Sequence, residues 1–191
     1  MDREIKTLLD KGAEVDAEDQ QGRTPLSYAS RKGGEKAVKL LLEKHASVHA
    51  RDQHGRTPLS YASGNGHVKV VHLLLNKRAK VDEKDPQGRT SLSYASMAGR
   101  TSTARYLLDK GADIHVKDDE GNSSLIYATL YAHQETIKLL VGRGADVRAK
   151  DSRGKTPLET AKEHHLDFGI IKMLKDASKV NQGGDGGQAL V

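Results

Sequence analysis

The chain has 191 residues, 31 of them Lys or Arg and 26 Asp or Glu, with one Phe, no Trp and no Cys. So few large apolar residues argue against a sphere filled around aromatic anchors, yet a net charge of +5 does not force the chain open; a periodic stack, in which each unit buries a thin layer against the next, satisfies both. The absent cysteines exclude a disulfide scaffold, a thiolate nucleophile, Cys-ligated zinc and iron–sulfur clusters, and no apolar run nears the ~20 residues of a membrane span.

In chain order, Met1-Asp2-Arg3-Glu4-Ile5 is charged and lacks the apolar stretch of a signal peptide. Ile5, Leu8, Leu9, Gly12, Ala13 and Val15 match the second half of a unit whose first half is missing. Residues 1–18 therefore read as a half unit, and the chain as a fragment of a longer one with Met1 as start residue. From there a period of 33 takes over: Gly22, Gly55, Gly88, Gly121 and Gly154 keep it, as do Asp19, Asp52, Asp85, Asp118 and Asp151. Leu26, Leu59, Leu92, Leu125 and Leu158 keep it too, with Ala29, Ala62, Ala95, Ala128 and Ala161. Full units are expected over 19–51, 52–84, 85–117 and 118–150, a capping unit over 151–180, and a flexible Gly-rich tail over 181–191.

Each unit has a physical reading. In Asp-x-x-Gly the carboxylate accepts nearby backbone N–H groups and Gly takes positive φ, which is turn chemistry. Thr24-Pro25, Thr57-Pro58 and Thr156-Pro157 start a helix, with Thr as N-cap and Pro where no N–H is needed. That helix is short, Pro25 to about Ser30, and Gly33, Gly66 and Gly99 mark the reversal after it. A second helix follows, as in Val68–Leu75, with Val71, Leu74 and Leu75 on one face; it stops at Gly111 and Gly144 in units three and four. In the last unit Glu163-His164-His165 stands in the connecting turn, and a more polar helix is expected over Leu166 to Ala177.

The run Gly-Arg-Thr-Pro-Leu-Ser-Tyr-Ala-Ser through Leu-Leu-Leu-x-x-x-Ala-x-Val resembles the ankyrin repeat family, from Arg3 to about Ala177. The resemblance implies an all-α solenoid of paired antiparallel helices with protruding β-turn fingers, stacked into a curved array. Ser27, Ser60 and Ser93 stand where the family normally carries His, which is similar to arrays common in fungal multidomain proteins. Other departures are structural. His45 and Arg78 replace Gly at the left-handed helix stop, a strain of about 1 kcal/mol each. Ser91 and Ser124 replace the helix-starting Pro, and Ala132 replaces the reversing Gly, so units three and four are expected to be less ideal.

No reaction centre is legible, and no enzyme, metal or cofactor is expected. His45, His49, His54, His67, His72, His115 and His133 read as different or non-recurring repeat positions, on turns or outward faces. His164 and His165 are adjacent, and neighbours on a helix do not face one another. Tyr28, Tyr61, Tyr94 and Tyr127 are in register beside Leu26 and its equivalents, which points to packing between units and away from platforms for bases.

The resemblance implies that a partner contacts the finger tips and the exposed side of the first helices, which form one concave surface. These positions carry Arg23, Arg31, Lys32, Arg51, Arg56, Lys84, Arg89, Lys117, Lys150, Arg153 and Lys155 against Asp119, Glu120 and Glu163. Met97, Leu130 and Tyr131 are apolar where the surface should be wet, and such a patch marks a contact site. The sequence therefore reads as a monomeric, non-catalytic protein-interaction module of the cytoplasm or nucleus, its partner offering an acidic or polar segment, with no membrane. The alternative is weak, nonspecific binding of nucleic acid or another polyanion by the same basic groove.

Overall fold

The computed structural model describes Thr7 and residues 11–180. The expected tail therefore lies outside the described residues, as do residues 1–6 and 8–10 of the expected half unit. Ten helices are described, and they pair. Unit one is α1 (Pro25–Lys32) and α2 (Glu35–Glu43), unit two α3 (Pro58–Asn65) and α4 (Val68–Asn76), unit three α5 (Ser91–Met97) and α6 (Thr101–Asp109). Unit four is α7 (Ser124–Leu130) and α8 (Gln134–Gly142), and unit five α9 (Pro157–Glu163) and α10 (Phe168–Val180). The first helices α1, α3, α5, α7 and α9 pack in series, the second helices form a parallel row, and each pair closes on itself. Among the described residues β-structure is confined to an isolated antiparallel bridge, Lys117 to Ser123, in one finger.

Local chemistry sets each boundary. Thr24, Thr57, Thr90, Ser123 and Thr156 are N-caps whose hydroxyls accept the backbone N–H three residues on. Ser60, Ser93 and Glu159 return the bond to complete capping boxes. α5 and α7 begin at Ser91 and Ser124 without proline, the cap hydroxyls sufficing. Gly33, Gly66 and Gly99 turn the chain at φ 71°, 83° and 64°, and Gly111 and Gly144 end α6 and α8 at 86° and 83°.

His45, Arg78 and Ala132 adopt the same left-handed region at φ 63°, 66° and 57°, as expected from their place in the repeat, and His165 joins them at 51°. The last helix departs from expectation. It runs Phe168–Val180, because Asp167 takes up an extra link residue. Leu166, expected inside it, sits buried in the link with its N–H on the Ala161 carbonyl.

The core is a column of one buried leucine from each of α1, α3, α5 and α7, namely Leu26, Leu59, Leu92 and Leu125, with Ala29, Ala62, Ala95, Ala128 and Ala161 behind it; Leu158 of α9 is only partly buried. Val38, Leu41, Val71, Leu74, Ala104, Leu107, Ile137 and Leu140 supply the second helices' share. Burial without large aromatic residues works because every layer is thin.

Arg78→Gly removes the cost of a side chain at positive φ, offset in part by the greater freedom of glycine in the unfolded chain. We expect a net gain of about 0.5–1 kcal/mol, measured as a higher urea midpoint at unchanged slope.

Candidate interaction surface

Every finger is organised by its aspartate. One carboxylate oxygen of Asp52 accepts the His54 and Arg56 N–H groups at 2.9 Å, and the other accepts Arg56 Nε at 2.9 Å and the Tyr61 hydroxyl at 2.6 Å. Asp19 with Arg23 and Tyr28, and Asp85 with Arg89 and Tyr94, repeat the arrangement. Each guanidinium also lies over its own tyrosine ring, 4.6, 4.8 and 5.2 Å from the centroid in units one to three.

The electrostatics follow. The Arg23 side chain, helped by Tyr28, holds Asp19 well below the usual carboxylate range. Burial pushes Asp52 and Asp85 up, but the hydrogen bonds from Tyr61 or Tyr94 and from Arg56 or Arg89 outweigh it, and both end lowered. Burial first, then the bond to Asp52, pushes the Tyr61 phenol up to about 12.

Fingers also bond to one another. Gln53 N–H donates to the Gln21 carbonyl at 3.0 Å, Asp119 to Gln87 at 3.0 Å and Ser152 to Glu120 at 2.7 Å. Pro86 occupies the matching position between units two and three and has no N–H to give. Its ring packs there against Gly55 instead, so closely that a Cβ on Gly55 would lie 2.2 Å from Pro86 Cδ.

Beside the fingers the first helices enclose an open cleft of about 440 Å³. It brings together Arg23, Arg31, Arg56, Met97 and Tyr131 of the residues expected from sequence, and adds Tyr61, Asn65 and Tyr94. Tyr131 is 55% exposed, so it does not fold inward to fill space around Ala132. Its ring stacks on His133 at 6.4 Å. Leu130 is half-buried and does not line the cleft. Neither do Lys32, Arg51, Lys84, Arg89, Lys117, Arg153 or Lys155.

Many of these cations are already committed. Arg23, Arg56, Arg89 and Arg153 pair with the aspartates of their own fingers, Arg51 with Glu83, and Lys155 with Glu163. The Lys117 ammonium donates to the Lys150 carbonyl. Arg31, Lys32, Lys84 and Lys150 form no ion pair with a described residue, so the field of this face is weaker than its count of basic residues suggests. A tally that included each unit's aspartate would have found this.

The histidines need a correction. His67 and His133 are two repeats apart and do the same work: each Nε2 meets a carbonyl of the preceding unit, Arg31 at 3.1 Å and Met97 at 2.9 Å, with the ring lying on Gly33 or Gly99. They are not non-recurring positions, and Arg100 fills the equivalent place between them, on Gly66. His49 and His115 are likewise two repeats apart. Among the described residues no three His, Asp or Glu side chains are grouped to hold a metal ion.

Paired helices stacked in two rows, with fingers in series along one edge, bonded to one another except at Pro86, define an α-solenoid repeat protein. A family model described as ankyrin repeats (three copies) matches residues 2–52, 45–118, 80–151 and 110–184. The chain belongs to the ankyrin repeat family, whose members are generally non-catalytic protein–protein interaction modules. No curated protein matches it, and no described helix is long and apolar enough to cross a membrane.

Proposed function

We propose that this array is a monomeric, non-catalytic module of the cytoplasm or nucleus that holds an acidic or polar segment of a partner protein on the face made by its fingers and first helices. The observation that carries the reading is the cleft, where exposed Tyr131 and half-buried Met97 line the same space as Arg31, whose guanidinium lies over the Tyr28 ring at 5.7 Å and has no ion pair with a described residue. An apolar anchor in one cleft with a cation whose charge no carboxylate cancels suits such a segment, the anchor holding it and the charge drawing it in. Lys32, Lys84 and Lys117 extend the attraction along the same face, and Leu130 borders the anchor. Arg23, Arg51, Arg56, Arg89, Arg153 and Lys155 contribute shape more than free charge.

The test is capture of a partner by the array and kinetics of the complex. Tyr131→Ala is expected to weaken binding by about 2 kcal/mol, through faster dissociation. Reversing Arg31 and Lys32 to Glu should slow association in a salt-dependent way and leave dissociation nearly unchanged. If Tyr131→Ala lowers the melting temperature and leaves binding intact, the ring serves its own unit through its stacking on His133 and the anchor is misplaced. Retention on a mixed-sequence oligonucleotide that vanishes in modest salt, with no protein captured, would favour polyanion binding instead.

A further inference from the structure

Comparing the five fingers with one another isolates a single gap. In four of them a guanidinium of the same finger rests on the Oδ2 oxygen of the organising aspartate. Arg23 reaches Asp19 at 2.6 and 2.9 Å, Arg56 reaches Asp52 at 2.8 and 2.9 Å, Arg89 reaches Asp85 at 2.8 Å, and Arg153 reaches Asp151 at 2.9 and 3.1 Å. The finger of unit four departs from this. Asn122 stands where Arg23, Arg56 and Arg89 stand, and its shorter amide reaches Asp118 Oδ2 only at 3.3 Å.

Everything else about the Asp118 site is retained. Its Oδ1 accepts the Glu120 and Asn122 N–H groups at 3.0 and 2.7 Å, and its Oδ2 accepts the Tyr127 hydroxyl. Asp118 is partly exposed, as Asp19 is even with its arginine in place, whereas Asp52, Asp85 and Asp151 are buried. What unit four lacks is the guanidinium itself, and the one amide of Asn122 is shared between Asp118 at 3.3 Å and Glu120 at 3.4 Å. No neighbouring cation has moved in. Lys117 is turned to the Lys150 carbonyl, Lys155 pairs with Glu163, and Arg153 with Asp151. The same finger adds two carboxylates, Asp119 and Glu120, where the others carry Gln, His, Pro, Ser or Arg, and neither forms an ion pair with a described residue. Three carboxylates on a solvated turn would by themselves mean little. Three occupied sister sites of the same construction, and a fourth at Asp151 that Arg153 reaches from two residues on, show what this one is shaped to hold.

We propose that Asp118, with Glu120 beside it, receives an arginine side chain of the bound partner, which completes in trans the pair that the other fingers complete in cis. Arginine suits the site better than lysine because its planar fork can give two N–H donors to the single oxygen Oδ2, as Arg23, Arg56 and Arg153 do within the chain. The proposal rests on the reading that this face takes a protein segment. It sharpens that reading: the segment is mixed in charge, acidic or polar toward Arg31 and cationic toward unit four.

The subsite can be tested without the partner. The full chain, labelled with ¹⁵N, is titrated with N-acetyl-argininamide and, separately, with the lysine and the uncharged citrulline analogues. Saturable shifts centred on the Glu120 and Asn122 amides are expected with the arginine probe, at least threefold weaker binding with lysine, and none with citrulline. Asn122→Arg should fill the site from within and weaken probe binding at least tenfold. Arg56→Asn should open a second site, with new shifts at His54 and Arg56→Asn's own amide. Should Asn122→Arg unfold the chain, Arg56→Asn carries the same test alone. Equal response to citrulline, shifts spread over all acidic residues, lysine binding as well as arginine, or a probe indifferent to both variants would each overturn the assignment. Because Tyr131→Ala and the Arg31 reversal test partner binding separately, failure of the subsite and failure of the face are distinguishable.

Discussion

Gly99→Ala is expected to destabilise the array by about 2–3 kcal/mol, whereas the same change at Gly111 should cost only about 1 kcal/mol. Both glycines are left-handed, at φ 64° and 86°, so the backbone strain added by a methyl group is similar. They differ in their neighbours. A Cβ on Gly111 would meet nothing within 4 Å, while one on Gly99 would lie 2.5 Å from His133 Nδ1 and 2.7 Å from its Cγ. The ring cannot retreat without giving up its bond to the Met97 carbonyl, a further ~1 kcal/mol. Gly33 faces His67 in the same way, at 2.5 Å, and Gly33→Ala should behave alike. Ala132 already carries the methyl group at this repeat position, where Leu166 replaces the histidine one unit on. Urea unfolding of Gly99→Ala in the wild-type and His133→Ala backgrounds provides the check. The penalty should fall to about 1 kcal/mol when the ring is gone, and an unchanged penalty would show that the ring is not what the glycine accommodates.

The repeat architecture was legible because it is written in residues that control backbone geometry. Aspartate at the turn, glycine at positive φ, threonine at the N-cap and leucine at the core act within a few residues of themselves, so their spacing is their structure. The single displaced element, α10, starts late because one inserted link residue at Asp167 leaves the composition unchanged. What stayed hidden is contact across the period. His67 and His133 bond to carbonyls 36 residues earlier, and nothing local distinguishes them from solvated turn histidines. The four tyrosines in register were readable as packing, but their hydroxyl bonds to the finger aspartates were not. The charge of the finger face reads too high from sequence for the same reason, since arginine and aspartate of one finger cancel. The gap at Asp118 follows directly from aligning the units once the Asp–Arg pair is known to be a contact.

Asp85→Ala should cost about 3 kcal/mol, the other large effect expected here. Asp85 is only 7% exposed and holds four donors: the Gln87 and Arg89 N–H groups at 2.9 Å, Arg89 Nε at 2.8 Å and the Tyr94 hydroxyl at 2.6 Å. Removing one member of a buried ion pair costs about 3–5 kcal/mol because the other is left uncompensated. The lower end applies, since the Arg89 side chain keeps 27% of its surface in water. Asp85→Asn retains an acceptor for the finger amides and should cost about half as much. The loss should also change the response to acid. Burial raises the Asp85 carboxyl, but Tyr94, the Arg89 amide and the Arg89 side chain together leave it lowered in the folded protein. The unfolded carboxylate then takes up its proton first, near its ordinary value of about 4. The stabilisation is therefore complete above that pH and drains away as pH falls toward the folded value. Asp19, Asp52 and Asp151 act with the same sign, while Asp82, raised by burial, opposes them. Denaturant midpoints taken from about pH 6 down to about pH 2.5 should show Asp85→Ala losing less stability than wild type over that interval. Parallel acid slopes, or a cost below about 1 kcal/mol at neutral pH, would mean that the finger network orients Arg89 and Tyr94 without holding the array together.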